Sequence, residues 1–173
     1  MGSWILTLSH KGRPVISSNF LVRLDRDYIP DILSLWNEVR TPANMPESMT
    51  LTDEDARNLF SGDDGPDASC CGVFGLLTPT GQLTGFVSLS PFAVDGEKAL
   101  EFMIFFKQES RGSGIARKAS LEILAQAKRM SSLPIYTVVF PPNEIGKRFY
   151  ANAGFVFKKL VKVENHELEL WQG

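Results

Sequence analysis

The strongest constraint on the fold of this chain lies between Leu100 and Met130. A dense apolar run, Leu100-Glu101-Phe102-Met103-Ile104-Phe105-Phe106, leads into Gln108-Glu109-Ser110-Arg111-Gly112-Ser113-Gly114-Ile115-Ala116. From Gly112 to about Met130, the residues Ile115, Ala119, Ile123, Ala127 and Met130 recur at helical spacing. A strand that enters a glycine turn and leaves it as a helix offers an anion two things. They are unpaired backbone N–H groups and the positive end of the helix dipole. Gly112 and Gly114 carry no Cβ, so a ligand can approach the backbone closely. The pattern predicts a strand–turn–helix unit with a phosphate site at its turn.

The other segments must supply the sheet to which this strand belongs. Residues 73–78 and 83–89 read as strands around the turn Pro79-Thr80-Gly81-Gln82, and 99–106 follows the turn at Asp95-Gly96. Residues 135–140 are rich in β-branched and aromatic side chains and read as another strand. Pro141-Pro142-Asn143 opens a helix that Gly154 ends, and 155–162 and 167–171 form a closing hairpin around Asn165. Upstream, 20–24 reads as a strand. Ile29, Ile32, Leu33, Leu35, Trp36 and Val39 mark a helix with Pro30 in its first turn. Thr52-Asp53-Glu54-Asp55 is a capping box for a short helix to about Phe60. Residues 1–18 hold a possible extra strand or hairpin. The order β, α, α, β, β, β, α, β, α, β, β predicts an α/β (α+β) fold in one domain, 1–173. Its centre is a mixed, mostly antiparallel sheet flanked by helices, with a parallel pair where the central helix crosses over.

Composition narrows the function classes. A net charge of -2 argues against a nucleic-acid surface. No apolar run approaches the ~20 residues of a membrane span, and the N-terminus lacks a signal-peptide pattern. Cys70 and Cys71 are adjacent, which disfavours a mutual disulfide, and the chain has only two histidines. A cytoplasmic protein without a metal site is expected.

Three readings of the glycine turn compete. A P-loop needs Gly-Lys-Ser/Thr, but Gly114 is followed by Ile115-Ala116-Arg117. A dinucleotide fold needs a third glycine, where Arg117 stands, and a position early in a repeated βαβ unit. The third reading is a pyrophosphate cradle for coenzyme A.

At this point the stretch from Leu100 to Phe157 resembles the core of the GNAT superfamily of acyl-CoA-dependent N-acetyltransferases. Arg111-Gly112-Ser113-Gly114 matches the Arg-Gly-x-Gly core of its first signature, while Glu109 replaces the usual Gln or Arg. Asn143, Tyr150, Gly154 and Phe155 match a second signature in order and spacing. The resemblance implies acetyl-CoA as cofactor, with its diphosphate on the N–H groups of Arg111, Gly112, Ser113, Gly114, Ile115 and Ala116. It implies pantetheine pairing along Ile104, Phe105 and Phe106, and a hydrogen bond from Asn143. It makes Tyr150 the general acid for the departing thiolate and places the base on the strand of Glu101. Relative to Phe106, Glu101 is one residue out of step, and a β-bulge would restore its face.

The implied reaction is direct transfer of acetyl to a primary amine in a ternary complex. The amine belongs to a protein N-terminus, a lysine or a small molecule, and the enzyme is a monomer or homodimer. Plainer readings stand beside these. Tyr150 suits packing, Asn143 suits a helix cap, and Glu101 suits a solvated strand face. The acidic residues Asp53, Glu54, Asp55, Asp63, Asp64 and Asp67 suit a cap and a solvated loop, or attract a cationic substrate. At the level of the whole chain, the rivals are a catalytically degenerate acyl-CoA sensor or scaffold and a nucleotide-binding regulatory domain.

Overall fold

A computed structural model of the protein describes residues 20–40, 45–46, 48–62, 69–111, 114–163 and 165–173. The first elements are β1 (Val22–Arg23), α1 (Ile29–Val39), α2 (Asp53–Asn58), β2 (Gly72–Leu77), β3 (Leu83–Val94) and β4 (Glu97–Phe106). A one-turn helix α3 (Gln108–Arg111) and the long α4 (Ile115–Met130) follow. The chain closes with β5 (Ile135–Val139), α5 (Glu144–Asn152), β6 (Val156–Val163) and β7 (His166–Gln172). The seven strands form one sheet in the order β1-β2-β3-β4-β5-β7-β6. All neighbours are antiparallel except β4 and β5, which α4 connects in parallel as expected. Among the described residues, no helix is long and apolar enough to cross a membrane.

Strand alternation sends side chains to two separate cores. Leu100, Phe102 and Phe106 of β4 pack with Ala119, Ile123, Leu124 and Ala127 of α4. Met103 and Phe105 face the other way, toward Ile32, Leu35 and Val39 of α1 and Phe60. Helix α1 spans the expected residues with Pro30 in its first turn. Helix α2 has the full Thr52–Asp55 capping box. The buried stripe of α4 is Ala116, Ala119, Ser120, Ile123, Leu124 and Ala127, rotated from the predicted one. Ile115, the first helical residue, is exposed, because the helix meets the sheet only from its next residue onward.

Three further boundaries differ from expectation. Strand β3 runs past Pro91 to Val94. Its pairing with β2 ends at Leu89↔Gly72, so beyond that point Pro91 stands at a free edge where no ladder N–H is needed. Strand β1 keeps only Val22 and Arg23, because it pairs with β2 over just Val22↔Gly75 and Arg23↔Phe74. A helical turn, α3, separates β4 from α4, where an uninterrupted glycine turn was predicted. The possible element in 1–18 and the acidic residues Asp63, Asp64 and Asp67 lie outside the described residues. Cys70 and Cys71 are buried free thiols in the α4-side core.

Candidate active site

The parallel pair is short, and the site grows from that fact. Strands β4 and β5 are in register only at Leu100↔Ile135 and Glu101↔Tyr136. Beyond Glu101 they part, while β4 stays paired to β3 as far as Phe106↔Gly85. The β4–β5 ladder therefore ends before Ile104, Phe105 and Phe106. A cavity of about 280 Å³ fills the gap, lined by these three residues and by Val138, Val139 and Phe140. Helix α4 contributes Ala116, Arg117 and Ser120 to it, and Asn143, Gly146, Phe149 and Tyr150 line it from the side of α5. One end is thus a helix N-terminus with a cation, and the rest is chiefly apolar.

Gly114 stands at the N-cap of α4 with φ +71°, a left-handed conformation that favours glycine. Among the described residues other than its chain neighbours, none lies within 4 Å of where its Cβ would project. This open approach to the first turn of a 16-residue helix, with Arg117 beside the cavity, fits a phosphate-bearing ligand. The end of β4 beyond its ladder with β5 runs along the cavity, a course that fits an extended arm carrying amide groups. The residues present therefore fit coenzyme A. Of the predicted cradle, Gly114, Ile115 and Ala116 occupy the N-terminus of α4, and Arg111 closes α3. Gly112 and Ser113 lie outside the described residues.

Tyr150 is held from both ends of α5. Asn143 caps the helix, its Oδ1 accepting from the Gly146 N–H at 3.0 Å. Gly146 lacks a side chain because the Asn143 amide lies where its Cβ would stand. At the other end, Gly154 adopts φ +89°. There the Phe155 N–H donates to the Tyr150 carbonyl and the Gly154 N–H to the Ala151 carbonyl, at 2.9 and 3.1 Å. This is a Schellman cap, and its apolar contact is Phe155 on Tyr150, with ring centroids 5.4 Å apart. Phe149 and Phe102 complete the cage at 5.4 and 6.5 Å. The signature spacing Asn143…Tyr150…Gly154-Phe155 is therefore a device for fixing one phenol.

Burial pushes the Tyr150 phenol up to about 12. The Thr137 hydroxyl and the Ile104 backbone oppose that rise, and the charge of Glu101 adds to it. Thr137 is fully buried, and its Oγ1 has no hydrogen-bond partner of good geometry among the described residues. Its effect on Tyr150 is that of a neighbouring dipole. Tyr150 is thus both a packed aromatic and a polar group at the cavity wall.

A second cavity, of about 530 Å³, opens on the α1–α2 side of the sheet. It shares Met45, Phe105, Val138, Phe140 and Tyr150 with the first. Glu101 lines this second cavity with Ser90 and Met103. The residue is half-buried, keeps some accessible surface, and has its carboxyl raised by burial from 4.5 to about 7. It is therefore not a solvated strand charge. The bulge expected in β4 is absent: pairing with β3 is unbroken from Gly85↔Phe106 to Val94↔Glu97. Glu101 therefore keeps the face opposite Phe106, on the side of the second cavity, while Tyr150 lines both cavities.

The acidic residues of α2 separate into two uses. Asp53 pairs with Arg57 on the surface, whereas Asp55 caps the helix and also lines the second cavity. Sequence reasoning passed over Gly146, Phe140 and Trp36 as site residues. An asparagine cap followed three residues later by glycine was a usable signal for Gly146. Phe140 and Trp36 read only as core.

No curated protein matches the chain. Among solved structures, a GNAT-family acetyltransferase from Bordetella pertussis is 21% identical, with 92% of this chain and 99% of that one covered at a TM-score of 0.66. A ribosomal-protein-alanine N-acetyltransferase from Brucella melitensis is 15% identical, over 88% and 98% of the two chains, at 0.66. A phosphinothricin acetyltransferase from Sinorhizobium meliloti in complex with AcCoA is 16% identical, over 88% and 86%, at 0.68. These likenesses establish the fold. The family model for the Acetyltransferase (GNAT) family matches residues 29–155, most of the chain. With that match, the chain belongs to the GNAT family of acetyltransferases, whose acyl donor is acetyl-CoA.

Proposed function

We propose that the protein is an N-acetyltransferase that passes acetyl to a primary amine by direct attack in a ternary complex. The observation that carries this reading is the wall shared by two cavities, with Tyr150 in it and Glu101 beside it. Bound acetyl-CoA supplies a thioester, an activated acyl group whose leaving group is a thiolate. The N-terminus of α4 and Arg117 hold the diphosphate, and the stretch Ile104, Phe105 and Phe106 along the first cavity orients the pantetheine arm with Asn143 beside it.

The attacking amine must be neutral, although a lysine amine has a pKa of ~10.4 and an α-amine ~8. Glu101, raised to about 7, takes that proton near neutral pH. Tyr150, raised to about 12, keeps its own proton throughout the working range. Tyr150 therefore meets the departing sulfur as a hydrogen-bond donor and supplies the thiolate's proton.

None of the shared wall residues Met45, Phe105, Val138, Phe140 and Tyr150 is a cysteine or serine, which supports direct attack over an acyl-enzyme. Ser120, at the edge of the first cavity, donates its hydroxyl to the Ala116 carbonyl at 2.7 Å. Matched proteins named as N-acetyltransferases of ribosomal-protein alanine and of spermidine support nitrogen as the accepting atom.

The test is thiol release from acetyl-CoA against a panel of amines, with Tyr150→Phe beside the native protein. The phenylalanine keeps the ring packing and removes only the hydroxyl. Turnover should fall by ~100-fold, with acetyl-CoA affinity nearly unchanged. Equal turnover would make Tyr150 a packing residue. Tight acetyl-CoA binding with no thiol release for any amine would favour a sensor or scaffold.

A further inference from the structure

We infer that the acceptor is a small primary amine on an uncharged, largely apolar body, and that acceptors bearing a carboxylate are rejected. The inference rests on the acyl-transfer reading for its chemistry and on the second cavity for its selectivity. At about 530 Å³ that cavity falls within the ~300–1,000 Å³ of small-molecule sites. Trp36, Phe105 and Phe140 give it aromatic walls. The Trp36 ring is preset: it stands edge-on to Phe105 at 4.6 Å, and its indole N–H donates to the Met49 carbonyl at 3.3 Å. A wall already ordered costs little to use.

Among the described residues, the ionisable side chains lining the cavity are the two carboxylates, the Tyr150 phenol and the His166 imidazole. Asp55 and Glu101 line it, and among the described residues neither a lysine nor an arginine does. Asp55 is fixed in place, its Oδ2 accepting from the Thr52 N–H at 2.9 Å and from the Thr52 hydroxyl at 2.6 Å. An ammonium group is drawn into such a field. A carboxylate entering with it meets two acids, without a cation to pair with.

His166, which lines the cavity, has Nε2 3.3 Å from the hydroxyl of Ser48, joining the connection between α1 and α2 to the β6–β7 hairpin.

The experiment compares phenethylamine, phenylalanine amide and phenylalanine at pH 8. Binding to the whole protein is measured by calorimetry with coenzyme A present, and turnover by thiol release from acetyl-CoA. The amide matches phenylalanine in bulk and lacks only its charge. Phenethylamine and the amide should bind, with phenylalanine weaker than its amide by ~30-fold or more. Asp55→Asn, which keeps a cap acceptor, should narrow that gap. Phenylalanine within ~3-fold of its amide would overturn the inference, as would failure of all three to bind. A hexapeptide amide beginning with phenylalanine that binds better than phenethylamine would also overturn it, in favour of a protein N-terminus. If the charge selectivity holds in binding while no amine releases thiol, the selectivity stands and the acyl-transfer reading falls.

Discussion

Glu101 and Tyr150 are weakened as acids by the same cause, and the consequences differ. Burial lifts the glutamate from 4.5 to about 7, which turns an ordinarily ionised carboxylate into a base matched to neutral pH. Burial lifts the tyrosine from 10.0 to about 12, which secures its proton. A base must be ionised, so native kcat/KM should fall as pH drops through about 7 and level off above it. Glu101→Gln should remove that break and lower the rate at pH 7 by ~100-fold. The rate of the variant should then climb toward the amine's own pKa and narrow the gap, because the neutral amine forms unaided. Parallel pH–rate profiles for the two proteins would exclude Glu101 as the proton acceptor. At this scale the Tyr150 motif was legible because it is local: a cap, one helix and a Schellman turn. The face of Glu101 was not. An odd separation puts it opposite Phe106, and that face matters only because β4 and β5 part beside it.

Among the elements, α4 and β4 line the first cavity, and each has a glycine on or beside it that tests its role. Gly114→Glu combines an unfavourable left-handed backbone, ~1–2 kcal/mol, with a negative charge at an anion site. The protein should remain folded, with acetyl-CoA affinity lower by at least ~10-fold in calorimetry. Unchanged affinity in a folded variant would place the diphosphate elsewhere. Gly85 has a different role. It lies opposite Phe106 in the ladder, and the Phe106 ring occupies the space its Cβ would need. Gly85→Ala should therefore cost ~1–3 kcal/mol in denaturant unfolding by forcing Phe106 off its place. A neutral substitution would mean that the ring yields freely. Helix positions were legible from periodicity and caps, since those signals lie within a few residues. The requirement at Gly85 depends on cross-strand register, and the continuation of β3 past Pro91 depends on where β2 stops. Neither is written locally.

At the scale of the whole molecule, one sheet separates two cores, and the gap between β4 and β5 is where the two sides communicate. The first cavity has the α4 N-terminus at one end, and the second has α1, α2 and the β6–β7 hairpin around it. In the proposed reaction their common wall lets a donor on one side meet an acceptor on the other, without an intermediate carried by the protein. This arrangement was only partly legible. The hairpins and the parallel pair followed from the sequence of elements, whereas the place of β7 between β5 and β6, the early parting of the parallel pair, and thus the second cavity, did not. The most direct measurement is the initial rate of thiol release with acetyl-CoA and the amine varied together. Direct transfer across the shared wall predicts double-reciprocal lines that intersect. Parallel lines, the pattern of an acetylated enzyme intermediate, would contradict it.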